Sequence, residues 1–158
     1  MVSSLNLRER ENGKELCALT THLKARNGIL LPTIRNEQGK DISEWLEAFS
    51  EKRPLIISGD FNAEPSEPVY QTMIQNETNI LQSAYNLMGN LDNLEYTTWK
   101  IRETGQQKHI LDYIFHSPQL KTFSTLEMPT EEQIGKNRLP SLEFASDHLS
   151  LFAEVGFK

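Results

Sequence analysis

Short apolar runs separated by polar, turn-rich joints set the elements this chain predicts. "ELCALTTHL" (15–23) has strand character and delivers His22 to its C-terminal end. "ARNGILLPTIRNEQG" (25–39), with Gly28, Pro32 and Gly39, reads as irregular. Asp41, with Glu44 three residues on, suits a capping box. Ile42, Trp45, Leu46 and Phe49 then recur at helical spacing, so 41–51 is expected to be a helix with one buried face. "PLIIS" (54–58) is an apolar run bounded by Pro and Gly and reads as a buried strand. Residues 66–75 fit a short helix with Pro68 in its first turn and Val69, Tyr70, Met73 and Ile74 as core. "YTTW" (96–99), "ILDYIFHS" (110–117), "KTFSTLEM" (121–128) and "LSLFAEV" (149–155) read as strands, and "TEEQIG" (130–135) as a helical turn. Glu9, Glu11 and Glu15 lie on a charged stretch that reads as a solvated edge.

Strands outnumber helices, with helices set between them. The expectation is an α/β sandwich with a mixed rather than purely parallel sheet. The polar residues have a pattern of their own. His22, the Asp60–Asn62 pair and the Asp147–His148 pair each fall at the end of a strand, and Asp112 lies inside one otherwise made of apolar residues. A packed sandwich gathers such positions at one rim.

Composition narrows the classes. The chain has 158 residues, enough for one domain with a true core, and its 24% charged and 37% hydrophobic residues fit a globular protein. No apolar run approaches the roughly 20 residues of a membrane span. The first residues lack the basic-then-apolar order of a secretory signal. One cysteine, Cys17, excludes an internal disulfide framework, suits a reducing compartment and reads as a core thiol. The formal net charge of −6 argues against broad wrapping of nucleic acid, which wants a basic face, but leaves room for a small phosphorylated substrate held by a few cations.

The candidate chemistry rests on three carboxylates (Asp60, Asp112, Asp147), two imidazoles (His22, His148) and one amide (Asn62). Carboxylates without Cys/His spacing point to a hard cation such as Mg²⁺ or Mn²⁺ rather than zinc. Phosphoryl hydrolysis needs exactly such neutralising charge on the phosphate oxygens together with an in-line water. Asp112 is the strongest single clue, because an ionised group in so apolar a strand is costly without a partner. Each group also has a plainer reading. Asp112 suits a structural ion pair, Asp147–His148 a polar cap before a strand, and His22 an ordinary histidine. The four segments together are far more specific than any one of them.

In order, "THLKAR", "SGDFNAEP", "LDYIFHS" and "SDHLSL" resemble the second half of the endonuclease/exonuclease/phosphatase superfamily. "GDFNAEP" and "THLKA" point to its deadenylase-like branch. "TTWKIRETGQQKHILDYI" and "PTEEQIGKNRLPS" are similar to the nocturnin-like family within that branch. The resemblance covers about residues 15–157 and implies an α/β fold: the C-terminal half of a four-layer αββα sandwich with a mixed sheet. It implies that Asp60 positions or deprotonates the attacking water and that Asn62 binds the phosphate or a water on the metal. Asp147, with Asp60 and Asn62, would form the metal site for Mg²⁺ (or Mn²⁺). His148 would stabilise the phosphoryl oxygens, oriented by Asp112, and His22 would touch the phosphate from the other side. Lys24, Arg26, Lys100 and Arg102 would bind the phosphates of NADP(H), whose 2′-phosphate is removed to give NAD(H). Ordinary surface charge is the plainer reading of those four cations.

The same motifs serve a 3′–5′ exoribonuclease acting on poly(A) RNA, which would add stacking aromatics beside the cations. The full domain of the superfamily is about twice as long, and its first half supplies a Glu metal ligand and a nearby Asn. The expectation is therefore a single partial domain over 1–158, with an exposed sheet face or edge that a second copy would cover as a homodimer. A half-domain acting only as a binding module is the reading outside enzymes. The compartment expected is the cytoplasm, or the mitochondrion if the other half carries a targeting segment; no membrane partner is expected.

Overall fold

The computed structural model describes residues 2–26, 28–75, 81–86 and 94–158. Its strands are β1 (Val2–Arg8), β2 (Glu15–His22), β3 (Leu55–Asp60), β4 (Gln82–Ser83), β5 (Thr98–Arg102), β6 (Gly105–His109), β7 (Asp112–His116), β8 (Leu120–Thr125) and β9 (Ala153–Phe157). Its helices are α1 (Leu31–Ser50), α2 (Pro68–Ile74) and α3 (Glu131–Ile134). The main sheet has the order β1-β2-β3-β7-β4. β2 and β3 are parallel, and the other pairs are antiparallel, so the sheet is mixed as expected. β5–β6 and β8–β9 form two further two-stranded sheets.

Alternation along the strands sets the two faces of the main sheet. Cys17, Leu19, Leu55, Ile57, Tyr113 and Phe115 point to one face and form a continuous core with Ile42, Leu46, Val69, Tyr70 and Met73 of α1 and α2. Phe61, just past β3, meets Tyr113 and Phe115 edge-on, with ring centroids 5.6 and 5.4 Å away. On the opposite face Leu5 pairs with Ala18 and Leu7 with Leu16. Leu5 is 64% exposed there, and Leu7 and Phe123 are exposed as well. A groove of about 460 Å³ on this side is lined by Leu7, Leu16, Ile56, Leu120, Phe123 and Phe157.

Four elements correct the sequence reading. The stretch 25–39 is not irregular throughout: α1 begins at Leu31 and runs unbroken to Ser50. Pro32 sits in the first turn, where its missing N–H costs nothing. Gly39 lies inside the helix because α2 crosses there; a Cβ at this position would stand 2.7 Å from Val69 Cγ2. Asp41 is consequently an interior helical residue and not a cap, and of the expected apolar face Trp45 is exposed, stacked on Phe49. The stretch before residue 9, left without an element, is the edge strand β1, and "GQQKH" is β6, a polar strand with no apolar period to betray it. The final strand starts at Ala153, four residues after Leu149, so "SDHLSL" is loop. The expected helical turn at 130–135 is α3, closed by a capping box between Thr130 and Gln133.

Candidate active site

Strand register assembles the first three groups. His22 is paired with Asp60, and Asp60 with Asp112, across β2, β3 and β7. In-register neighbours project to the same side, so the three side chains form a row at one end of the sheet, on the face turned away from α1 and α2. This close pairing requires Gly59, whose φ is +148° and where a Cβ would stand 1.9 Å from the carbonyl oxygen of Thr21. Past the strand, Asn62 adopts φ 49°, a left-handed conformation that Asn tolerates. Its backbone N–H donates to Asp60 Oδ1 at 2.8 Å, and its side-chain amide donates to the carbonyl of Leu23 at 3.3 Å. Asn62 thus locks the loop after β3 to the loop after β2.

The second layer supplies the rest. The loop before β9 lies against β5, with His148 bridged to Thr98. Thr98 donates its hydroxyl to the carbonyl of Asp147 at 2.7 Å, and Ser146 Oγ accepts the N–H of His148 at 3.1 Å. So held, His148 Nδ1 donates to Asp112 Oδ2 at 2.8 Å, while its Nε2 lies 4.0 Å from Asp60 Oδ2 and 3.3 Å from Lys100 Nζ. Lys100 also pairs with Asp147 at 2.7 Å, and His22 Nε2 stands 3.6 Å from Asp60 Oδ2. The fully buried Thr97 ties these layers together: its hydroxyl accepts the N–H groups of Leu111 and Asp112.

The electrostatics follow from this packing. Burial raises the Asp60 carboxyl above its ordinary range, and the Asp112 carboxylate adds to the rise; the Asn62 N–H and the two imidazoles work against it. Hydrogen bonding to Asp112 raises His148 above its ordinary value, against burial and the charge of Lys100. Lys100 holds Asp147 low. The site therefore carries an imidazole fixed by one carboxylate, which favours its protonation, beside a second carboxylate that ionises reluctantly.

Of the predicted residues, His22, Asp60, Asp112, His148, Lys100 and Asp147 join in one chain of contacts no longer than 4.0 Å, with Asn62 attached through its backbone. Lys24, Arg26 and Arg102 are exposed on flanking segments: Lys24 and Arg26 follow β2, and Arg102 ends β5 on the same side as Lys100. One ligand atom each from Asp60, Asp112 and His148 lies within 4.8 Å of the others. Two carboxylates in this group suit a hard cation, and a carboxylate whose ionisation burial disfavours is the kind a cation would relieve. Asp147 faces Lys100 instead of this cluster.

Sequence reasoning missed several supports. Glu64 accepts from His109 Nδ1 at 2.5 Å and from the N–H of Ile110 at 3.3 Å, bracing the approach to β7. Thr97, Thr98 and Ser146 carry no spacing signal, because their partners lie far along the chain.

Comparison with known proteins places this geometry. The model of the Endonuclease/Exonuclease/phosphatase family matches residues 30–148. The chain belongs to that family. It is 48% identical over 152 residues to Nocturnin of Xenopus laevis, 46% over 153 residues to that of Homo sapiens, and 45% over 169 residues to that of Drosophila melanogaster. These matches cover 93%, 94% and 94% of this chain but 38%, 35% and 26% of the relatives, so the chain spans well under half of their length. The structure of the human Nocturnin catalytic domain with bound sulfate anion superposes with a TM-score of 0.78 at 37% identity, covering 99% of this chain and 52% of that one. The family fold expected from the sequence is the one observed, and the family contains phosphatases and nucleases.

Proposed function

We propose that this chain carries the C-terminal part of a phosphohydrolase site that removes the 2′-phosphate of NADP(H) to give NAD(H). The observation that supports it is the contact between Asp60, His148 and Asp112 with Lys100 alongside: a carboxylate, an imidazole fixed by a second carboxylate and a cation facing one space. Asp60 takes the proton of the attacking water. His148, held by Asp112, faces a phosphoryl oxygen and meets its growing charge. Lys100 neutralises a second oxygen, and Lys24, Arg26 and Arg102 hold the remaining phosphates of the dinucleotide. Asp60 and Asp112 would hold a divalent cation, Mg²⁺ first; when bound it neutralises charge on the phosphate. Asp147 would contribute to that site only on release from Lys100.

The relatives named Nocturnin at 45–48% identity support the nocturnin-like resemblance from which this substrate is taken. A relative named as a probable CCR4-Not complex 3′–5′ exoribonuclease subunit, from Encephalitozoon cuniculi, is 27% identical over 171 residues. It keeps poly(A) as the second reading.

The test is phosphate release from NADPH by this chain with Mg²⁺, set against EDTA, poly(A) and Asp60→Ala. Release that needs the metal and drops by at least about a hundredfold in Asp60→Ala supports the reading. A loss below about tenfold contradicts the role of Asp60, and degradation of poly(A) without release from NADPH moves the chain to the exonuclease class.

A further inference from the structure

The loop that bears Lys24 and Arg26 is held by a buried charge on α1. Arg35 is 4% exposed. Its Nη1 donates to the carbonyl oxygens of Lys24 at 3.3 Å and Arg26 at 3.2 Å. Its Nη2 and Nε donate to Glu67 Oε2 at 2.6 and 3.1 Å. One turn along the same helix, Gln38 Oε1 accepts the N–H of Lys24 at 3.0 Å. From the other side the site itself grips this loop: the Leu23 N–H donates to the Asp60 carbonyl, and the Asn62 amide to the Leu23 carbonyl. Arg26 has φ 91°, a conformation that non-glycine residues keep only where their surroundings impose it.

A buried guanidinium is costly unless every face is satisfied. Here its fork is divided between a carboxylate and two backbone carbonyls, and those carbonyls belong to the two residues whose side chains are the candidate phosphate-binding cations. An ion pair that merely joined α1 to the loop before α2 would need only Glu67. The carbonyl contacts are the extra feature, and Glu67 extends the linkage: its Oε1 accepts the N–H of Glu64, which in turn holds His109.

We infer that Arg35 is a positioning residue for substrate binding: its clamp on the Lys24 and Arg26 carbonyls fixes the cation-bearing loop against the catalytic end of β3. The inference rests on the proposed reading for the identity of the ligand, not for the clamp. It makes Arg35 a determinant of phosphate affinity although its own side chain is buried beneath the loop.

The test uses Arg35→Lys, which keeps the charge and loses the fork, beside Arg35→Met and Glu67→Gln. Amide hydrogen exchange is followed at Lys24 and at Ile57 in the core of β3, and NADP⁺ affinity is measured by calorimetry. In Arg35→Lys the Lys24 amide exchanges about tenfold faster or more, Ile57 is unchanged, and affinity for NADP⁺ falls about tenfold, the order expected for losing hydrogen bonds to a charged group. Glu67→Gln, which leaves the carbonyl clamp in place, shows a smaller change in both. Unchanged exchange at Lys24 in Arg35→Lys overturns the inference, as does faster exchange with unchanged NADP⁺ affinity. Arg35→Met is read only where it still folds, and Arg35→Lys decides where it does not. Lys24→Ala keeps the clamp and removes a cation: if it alone lowers affinity the substrate reading stands without the inference, and if it does not the substrate reading fails while exchange still decides the clamp.

Discussion

At the scale of single residues, the site is built from short polar groups placed where strands end. Asp60, Asn62, Asp112 and His148 were legible because a charge beside or within an apolar strand is improbable without a task. Lys100 was legible as a cation, but not as the partner shared by Asp147 and His148, since those contacts join residues 47 and 48 apart in the chain. Arg35 gave no signal at all: it lies in the segment read as irregular. The Asp112–His148 bond makes a direct prediction. Because the folded-state pKa of His148 is raised, its protonation favours the folded state: the stabilisation is fully present below the ordinary histidine value and is lost as pH rises through the raised one. In Asp112→Asn the imidazole should titrate at lower pH by NMR, and the fold should lose this pH dependence. A titration that does not move would remove Asp112 as the cause.

Among elements, β3 is the one on which the site depends. It lies between β2 and β7 and lends its end to the row His22, Asp60 and Asp112. Its apolar core residues announced it, and so did the helical face of α2. By contrast β1 and β6 are polar or exposed along most of their length, and α1 hid behind Pro32 and Gly39, whose places are set by a helix start and a helix crossing that the sequence does not display. Gly59→Ala should be far more damaging than the usual exchange of Gly for Ala in a strand, because its Cβ would collide with the backbone of Thr21. The expected loss exceeds about 2 kcal/mol by chemical denaturation, at the upper end of ordinary substitutions. A loss within about 0.5 kcal/mol would mean that β2 and β3 can separate without harm to the fold.

For the whole molecule, periodicity gave an α/β class, and the ordered motifs gave the family; neither could show that the second layer brings His148 over the row of strand ends. The face away from α1 and α2 leaves Leu5, Leu7 and Phe123 exposed. Leu5→Lys should accordingly change stability by less than about 0.5 kcal/mol, as at other open positions, and weaken binding of a hydrophobic dye; a large destabilisation would show that Leu5 is packed in solution. The central claim, that Asp60, Asp112 and His148 form one cation-assisted phosphoryl site, is tested most directly by the melting temperature with Mg²⁺ and with EDTA, for the wild type and for Asp60→Asn. A ligand that binds only the folded state must raise the melting temperature. Because burial raises the pKa of Asp60, its ionisation at neutral pH opposes folding, so Asp60→Asn in EDTA should melt higher than the wild type. The account predicts that Mg²⁺ raises the wild-type melting temperature and leaves that of Asp60→Asn unmoved. An equal response of the two proteins, or none in the wild type, would contradict it.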